Sequence, residues 1–115
     1  MSEKQADYTV RSYSSGTVGR AMNTIRQHHL ILDSPSINEE VTSGEAFLSG
    51  ISACGVTLIE GAARDAGIPL AHTEVTIEGF RAEGRPAFDH IGMRFVLNGV
   101  TPEQAEALVG RYKDG

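Results

Sequence analysis

The chain has a single cysteine, Cys54, within the uncharged and largely apolar residues 46–59. A cysteine thiolate is a nucleophile that can attack the O–O bond of a peroxide, and it forms at neutral pH when its pKa falls below the free value of about 8.5. A neighbouring arginine favours the thiolate, whereas apolar burial disfavours it. A buried cysteine instead packs as a small hydrophobic residue, a common role. The residues alone leave both roles open.

Metal and nucleotide chemistry are not expected. His28 and His29 would face opposite sides of a strand, and His72 and His90 lie on other predicted strands. With one cysteine and no His-x-His or Cys-x-x-Cys spacing, the sequence predicts no metal site. It also lacks the glycine-rich loops that bind nucleotide phosphates, so we expect no cofactor.

The composition indicates a single soluble domain of 115 residues. A net charge of −5 without a basic cluster argues against nucleic-acid binding. The charged N-terminus has no apolar signal segment, and residues 46–59 are too few to span a bilayer. One free cysteine fits a reducing compartment, so we expect a cytoplasmic protein.

Cys54 is expected on a long helix. Thr42 and Glu45 have capping-box spacing, and Gly67 with Pro69 marks the end. Glycines within a helix cost about 1 kcal/mol each against alanine, so close approach of another element must offset them. These features predict a central helix packed on several sides; its apolar residues recur at helical spacing: Phe47, Leu48, Ile51, Cys54, Leu58 and Ile59.

Strands are expected on both sides of this helix. Residues 1–7 resemble a frayed, disordered end, and residues 8–33 read as a hairpin punctuated by Gly16 and Gly19. Residues 72–80 and 87–99 alternate between apolar and polar and predict a second antiparallel hairpin. Thr101 and Gln104 flank the start of a second helix. The predicted order is β-β-α-β-β-α, an α+β fold. Because its core would be thin, we expect a homodimer that completes it.

Four stretches resemble the OsmC/Ohr family, the osmotically inducible and organic hydroperoxide resistance proteins, from about Tyr8 to Gly115. "IRQHHLILDSP" resembles the family's second strand with its Asp-x-Pro exit. "SGEAFLSGISACGVTLIEGAARDAGI" resembles its central helix. "EVTIEGF" with "FDHIGMRFVLNGV" resembles its second hairpin, and "TPEQAEALVGRYKDG" its second helix. The order and spacing of the four carry the resemblance.

The resemblance implies an intertwined homodimer with its two central helices back to back and sheets wrapped around them. It implies that Cys54 is the peroxidatic cysteine and that Glu45 pairs with an arginine of the N-terminal strands that holds the thiolate. Arg20 matches that arginine best, and Arg26 is the second candidate. Since Glu45 precedes Cys54 by about 13 Å along the helix, it would reach the thiol only through such an arginine. Glu45 also has the simpler role of capping the helix.

The chain departs from the family at its end. Active members carry a Cys-Pro pair after the second helix and then a final strand, whereas this sequence ends at Gly115. The second, resolving cysteine and the last strand are therefore expected to be absent, which leaves a sheet edge uncovered. A sulfenic acid on Cys54 would need an external thiol reductant. The expected function is thus reduction of organic hydroperoxides through one cysteine; the alternatives are a non-catalytic dimer that binds a small apolar ligand and a single-cysteine redox sensor.

Overall fold

The computed structural model describes residues 4–85 and 87–114. The elements in this part of the chain are β1 (Arg11–Ser14), β2 (Arg20–Ile25), β3 (His28–Asp33), α1 (Ser43–Ala66), β4 (His72–Arg81), β5 (Phe88–Asn98) and α2 (Pro102–Asp114). They confirm the predicted α+β class. The chain divides into two compact units, Met1–Ala46 and Phe47–Gly115. Two statements stay predictions: that the chain is one domain, and that residues 1–7 are disordered. Residues 1–3 lie outside the described residues.

The N-terminal unit contains three strands where the sequence predicted two. β1, β2 and β3 form an antiparallel sheet in that order, with Tyr13 opposite Met22 and Met22 opposite Ile31. A two-residue turn at Arg26 and Gln27 separates β2 from β3, and Arg26 has a φ of 55°. This left-handed conformation usually needs glycine or asparagine, so the turn carries no sequence signal. The observed order is therefore β-β-β-α-β-β-α.

Both predicted capping boxes are present. At α1 the Thr42 N–H donates to Glu45 Oε1 (2.9 Å) and the Glu45 N–H donates to Thr42 Oγ1 (3.3 Å). At α2 the Thr101 N–H donates to Gln104 Oε1 (3.0 Å) and the Gln104 N–H to Thr101 Oγ1 (3.1 Å). These pairs satisfy backbone donors that a helix start leaves free. Gly67, with a φ of 69°, ends α1 as predicted.

The C-terminal unit contains the second hairpin and the hydrophobic core. β4 pairs antiparallel with β5, and Val75 opposite Phe95 and Ile77 opposite Met93 confirm the predicted apolar face. Ile59 and Ala63 of α1 and Leu108 of α2 are the buried hydrophobic residues of the described chain. Phe95, Leu97 and Val109 pack around them. The core thus joins α1, α2 and the inner face of the hairpin.

The central helix is less covered than the sequence predicted. In α1 the buried residues are Gly55, Ile59 and Ala63, while Phe47 and Leu58 are 58% and 46% exposed. By length and composition alone α1 could cross a membrane, since an 18-residue window has a mean hydropathy of 1.5. Only 17% of that window is buried within the chain, so most of an apolar helix lacks cover from its own chain.

Candidate functional site

Cys54 lies in the middle of α1, and its side chain is exposed. Its carbonyl accepts a hydrogen bond from Thr57 Oγ1 at 3.3 Å. Residues three to four positions apart share a helix face, which places Gly50, Cys54 and Leu58 in one exposed row. The alternative in which Cys54 packs as a buried hydrophobic residue is thus not what is observed within this chain. The thiol is therefore left uncovered by its own chain.

Tyr112 of α2 is fixed against the turn of α1 that carries Cys54. Its hydroxyl donates to the Ile51 carbonyl at 3.2 Å. A Cβ placed on Gly55 would lie 3.4 to 3.7 Å from three carbons of the Tyr112 ring. Phe95 meets the same ring edge-on, with centroids 5.8 Å apart. The close approach predicted for the helix glycines is thus found at Gly55, although Gly50 and Gly61 have nothing of this chain within 4 Å of an added Cβ.

An open cleft of about 380 Å³ runs between α1 and α2, beginning one helical turn after Cys54. Its walls are partly apolar, with Leu58 and Ala62 from α1 and the ring of Tyr112 from α2. Two guanidinium groups lie on it, and Arg64 is paired with Asp65 (3.1 Å). The complete lining is Thr57, Leu58, Gly61, Ala62, Arg64, Asp65, Arg111 and Tyr112. A small, partly apolar organic group fits such a cleft.

Arg20, the predicted arginine, is held by two carboxylates of its own unit. Its Nε and Nη2 donate to the two oxygens of Asp33 at 2.7 and 2.9 Å, a bidentate pair. Nη2 also donates to Glu39 Oε1 at 2.8 Å. The Asp33 side chain is fully buried and further accepts the N–H groups of Glu39 and Glu40 at 3.1 and 2.8 Å. Asp33 therefore fixes both the guanidinium and the loop that follows β3.

These contacts shift two pKa values. The hydrogen bonds from Arg20 and then from the backbone hold the pKa of Asp33 well below its usual range, against an opposing effect of burial. The hydrogen bonds to Asp33 and Glu39 raise the pKa of Arg20 above its usual value. Arg20 and Asp33 are therefore both charged across the physiological pH range and form an ion pair.

Glu45 does not bond to Arg20 within residues 4–85 and 87–114. Its carboxylate accepts from the Thr42 backbone N–H and hydroxyl, which lower the pKa of Glu45. The structure therefore gives Glu45 the capping role. Arg26, the second candidate arginine, lies exposed in the turn between β2 and β3. The assignment of Arg20 and Glu45 to the site of Cys54 stays a prediction.

The sequence did not single out two residues that matter here. Asp33 belongs to the Asp-x-Pro exit of a strand, and an acidic residue at the end of a mostly apolar strand is a signal for a buried ion pair. Tyr112 follows Leu108 and Val109 on the apolar side of α2, and that pattern does not indicate the contact of its hydroxyl with Ile51. In residues 4–85 and 87–114, no group of three histidine, cysteine, aspartate or glutamate side chains could hold a metal ion.

No family model matches the sequence, and no curated protein matches it. Solved structures do resemble it. An OsmC-like protein from Mycoplasma pneumoniae gives a TM-score of 0.83 at 14% identity, over 96% of this chain and 83% of that one. The organic hydroperoxide resistance protein OsmC from Legionella pneumophila gives 0.74 at 17% identity, over 97% and 85%. The organic hydroperoxide resistance protein OhrB of Bacillus subtilis gives 0.64 at 19% identity, over 95% and 84%. With sequence identities of 14% to 19%, these structural similarities show that the chain has the same fold as these proteins.

Proposed function

We propose that this chain, whose fold is that of OsmC-like proteins, reduces organic hydroperoxides with Cys54 as the attacking thiolate. The observation that carries the proposal is the exposed thiol of Cys54 in the middle of α1, one turn from a partly apolar cleft. An exposed thiol supplies the nucleophile, and the cleft supplies room for an organic group beside it. Two of the solved structures with this fold are organic hydroperoxide resistance proteins, which supports the same chemistry.

The proposed reaction has two stages. The Cys54 thiolate attacks the terminal oxygen of the hydroperoxide; an S–O bond forms, the O–O bond breaks, and the departing alkoxide takes a proton to become an alcohol. The sulfur is then a sulfenic acid. An external thiol displaces water from it to give a mixed disulfide, and a second thiol releases Cys54 and leaves as a disulfide. An external low-molecular-weight or protein thiol is therefore the proposed reductant.

Arg20 and Glu45 are proposed to support the thiolate, with Arg26 as the alternative arginine. Asp33 and Glu39 occupy Nε and Nη2 of Arg20, whereas Nη1 donates to none of the residues that the structure describes. Those free N–H groups are the ones that would donate to a sulfur or peroxide oxygen. Because Glu39 is exposed and Asp33 buried, Asp33 would fix the orientation of Arg20.

We further propose that the working form is a homodimer in the cytoplasm. The chain exposes 8697 Å², about 2,600 Å² more than the roughly 6,100 Å² expected for a compact monomer of its length. If each of two copies buried this excess, the total would be about 5,200 Å², which is at the upper end of the range for obligate homodimers. A second copy would cover exposed apolar side chains of α1 such as Phe47, which is 58% exposed, and would leave the thiol of Cys54 open to substrate. A single free cysteine is compatible with a reducing cytoplasm.

The decisive experiment mixes the reduced protein with cumene hydroperoxide, and separately with hydrogen peroxide, and follows the mass of Cys54 across pH. We expect rapid, selective gain of one oxygen with the organic peroxide, and multiple turnovers once dithiothreitol is added. Sedimentation of the same sample should give twice the mass of one chain. Cys54→Ser is the matched control and should lose the reaction without losing the fold.

Three results would redirect the proposal. Oxidation no faster than that of free cysteine would contradict peroxidase activity and favour a ligand-binding dimer. Oxidation without turnover in the presence of thiol would favour a redox sensor. A mass of one chain would contradict the homodimer.

A further inference from the structure

A second and larger cleft runs between β5 and α2. It has a volume of about 720 Å³ and lies entirely within the C-terminal unit. Its floor is apolar and consists of half-buried side chains, Phe95 and Leu97 from β5 and Val109 from α2. No residue of α1 lines it, and it does not include Cys54. This cleft, the β5–α2 groove, is therefore separate from the proposed peroxide site and from the surface proposed for a second copy.

Two features leave the β5–α2 groove open. In the part of the chain that the structure describes, β5 pairs only with β4, so its other edge carries no strand. On the α2 wall the groove is lined by the small residues Ala105 and Gly110. A Cβ added to Gly110 would meet nothing within 4 Å. An apolar floor of this size with free space above it can take an apolar ligand.

The charged side chains of the groove are separated along its length. α2 runs back along β5, and the Tyr112 hydroxyl lies 3.9 Å from Met93 Sδ. Arg94 and Lys113 line the groove and directly follow these two residues in the chain, so they lie at the same end. Glu106 lies about 10 Å from Lys113 along the helix axis, toward the start of α2. The groove thus has two cations at one end and a carboxylate at the other.

Neither cation forms an ion pair with any residue that the structure describes. Arg94 lies opposite the uncharged Thr76, with Glu74 and Glu78 in the diagonal positions of β4. Lys113 is in the last turn of α2. Two cations without partners beside a half-buried apolar floor favour a ligand that carries both a negative charge and an apolar chain.

We propose that the β5–α2 groove binds a soluble medium-chain alkyl carboxylate. Its carboxylate would pair with Arg94 and Lys113, since guanidinium and ammonium groups donate charge-assisted hydrogen bonds to carboxylates. Its alkyl chain would lie on Phe95, Leu97 and Val109, where burial of apolar surface stabilises it. This site does not depend on the reduction of peroxides.

The length of the groove sets the length of the ligand. On α2 its lining runs from Ala105 to Lys113, which spans about 12 Å along the helix axis. On β5 it runs from Met93 to Leu97, about 13 Å along the strand. With ordinary covalent bond lengths, an extended alkyl chain of about ten carbons spans this distance. The exposed Glu106 would disfavour a second carboxylate at the far end of the ligand.

Titration calorimetry of the full chain with sodium decanoate tests the proposal. We expect saturable binding at one site per chain. Octanoate should bind roughly tenfold more weakly, because each buried methylene contributes about fourfold to the affinity. Decanedioate places a second negative charge toward Glu106, and decyltrimethylammonium reverses the charge at the cationic end. Each of these should bind weaker than decanoate by about tenfold or more.

Four variants locate the ligand. Gly110→Leu fills the groove and should abolish measurable binding of decanoate, and it should fold because leucine favours a helix over glycine. Ala107→Leu is the matched control at an exposed position of α2 outside the groove, and it should bind as the wild type does. Arg94→Gln and Lys113→Gln should each weaken binding of decanoate about tenfold. Circular dichroism checks the fold of each variant.

Three results would overturn the inference. The first is the absence of saturable decanoate binding to the wild type. The second is binding that a folded Gly110→Leu leaves unchanged, which would place the ligand outside the groove. The third is equal affinity for decanoate and decyltrimethylammonium, which would show adsorption without recognition of charge. Since Cys54→Ser should bind decanoate normally, peroxide turnover without decanoate binding contradicts only this inference. Decanoate binding without turnover contradicts only the proposed function.

Discussion

The two units of the chain are stabilised by opposite kinds of interaction. In the described part of the N-terminal unit the buried residues are Asn23 and Asp33, both polar, and no hydrophobic side chain is buried. In the C-terminal unit Ile59, Ala63 and Leu108 form an apolar core. An apolar core stabilises in proportion to its buried area, whereas a buried carboxylate stabilises only while its partners remain in place. The stability of the N-terminal sheet is therefore expected to depend more on charge and pH than that of the C-terminal unit.

The largest effect is expected from Ile59→Ala, which removes the most deeply buried side chain of the core. We expect a loss of about 2–5 kcal/mol in the free energy of unfolding, since the change deletes buried methyl groups and leaves a cavity. Urea denaturation followed by circular dichroism measures it.

The neighbouring Leu58→Ala is the matched control, because Leu58 is half exposed. Within one chain it should change stability by less than about 0.5 kcal/mol. A loss as large as that of Ile59→Ala would mean that a second copy buries Leu58, which supports the proposed dimer.

Asp33→Asn should weaken the N-terminal sheet and change its response to pH. Because the pKa of Asp33 is lowered in the folded chain, its stabilising effect is present above the unfolded pKa of about 3.9 and is lost as the pH falls toward the folded value. The stability difference between the wild type and Asp33→Asn should therefore be greatest near pH 6–7 and shrink below about pH 4. Denaturation at several pH values measures it.

Glu39→Gln is the comparison for this change, since Glu39 bonds to the same guanidinium but is 72% exposed. It should have a smaller effect than Asp33→Asn. A stability difference for Asp33→Asn that is constant from pH 3 to 7 would show that the ion pair with Arg20 does not stabilise the sheet.

The smallest effects are expected at the two helix caps. Thr42→Ala and Thr101→Ala each remove the hydroxyl that accepts from a backbone N–H at the start of α1 and α2. Each should cost about 1 kcal/mol, measured by thermal or urea denaturation. Because the two caps have the same chemistry, a clearly larger cost at Thr42 would show that the start of α1 also fixes the N-terminal sheet.

Local patterns predicted much of the fold. The capping boxes at Thr42 and Thr101, the end of α1 at Gly67 and the alternation of β4 and β5 depend on residues close in the chain, and each is present. The turn at Arg26 was missed because its positive φ is imposed by pairing of β2 with β3 and not by a glycine or asparagine. Local preference fails where strand pairing overrides it.

Residue patterns alone predicted the two helices, the second hairpin and the position of Cys54 on a long apolar helix. They also predicted more apolar surface than a small chain can cover. These follow from periodicity and composition, which are properties of neighbouring residues. Three features required the folded chain: the exposure of Cys54, the pairing of Arg20 with Asp33 thirteen positions away, and the packing of Tyr112 on Gly55. Such contacts join residues distant in the chain, and hydrogen-bond geometry and side-chain packing select them only once the backbone has brought them together.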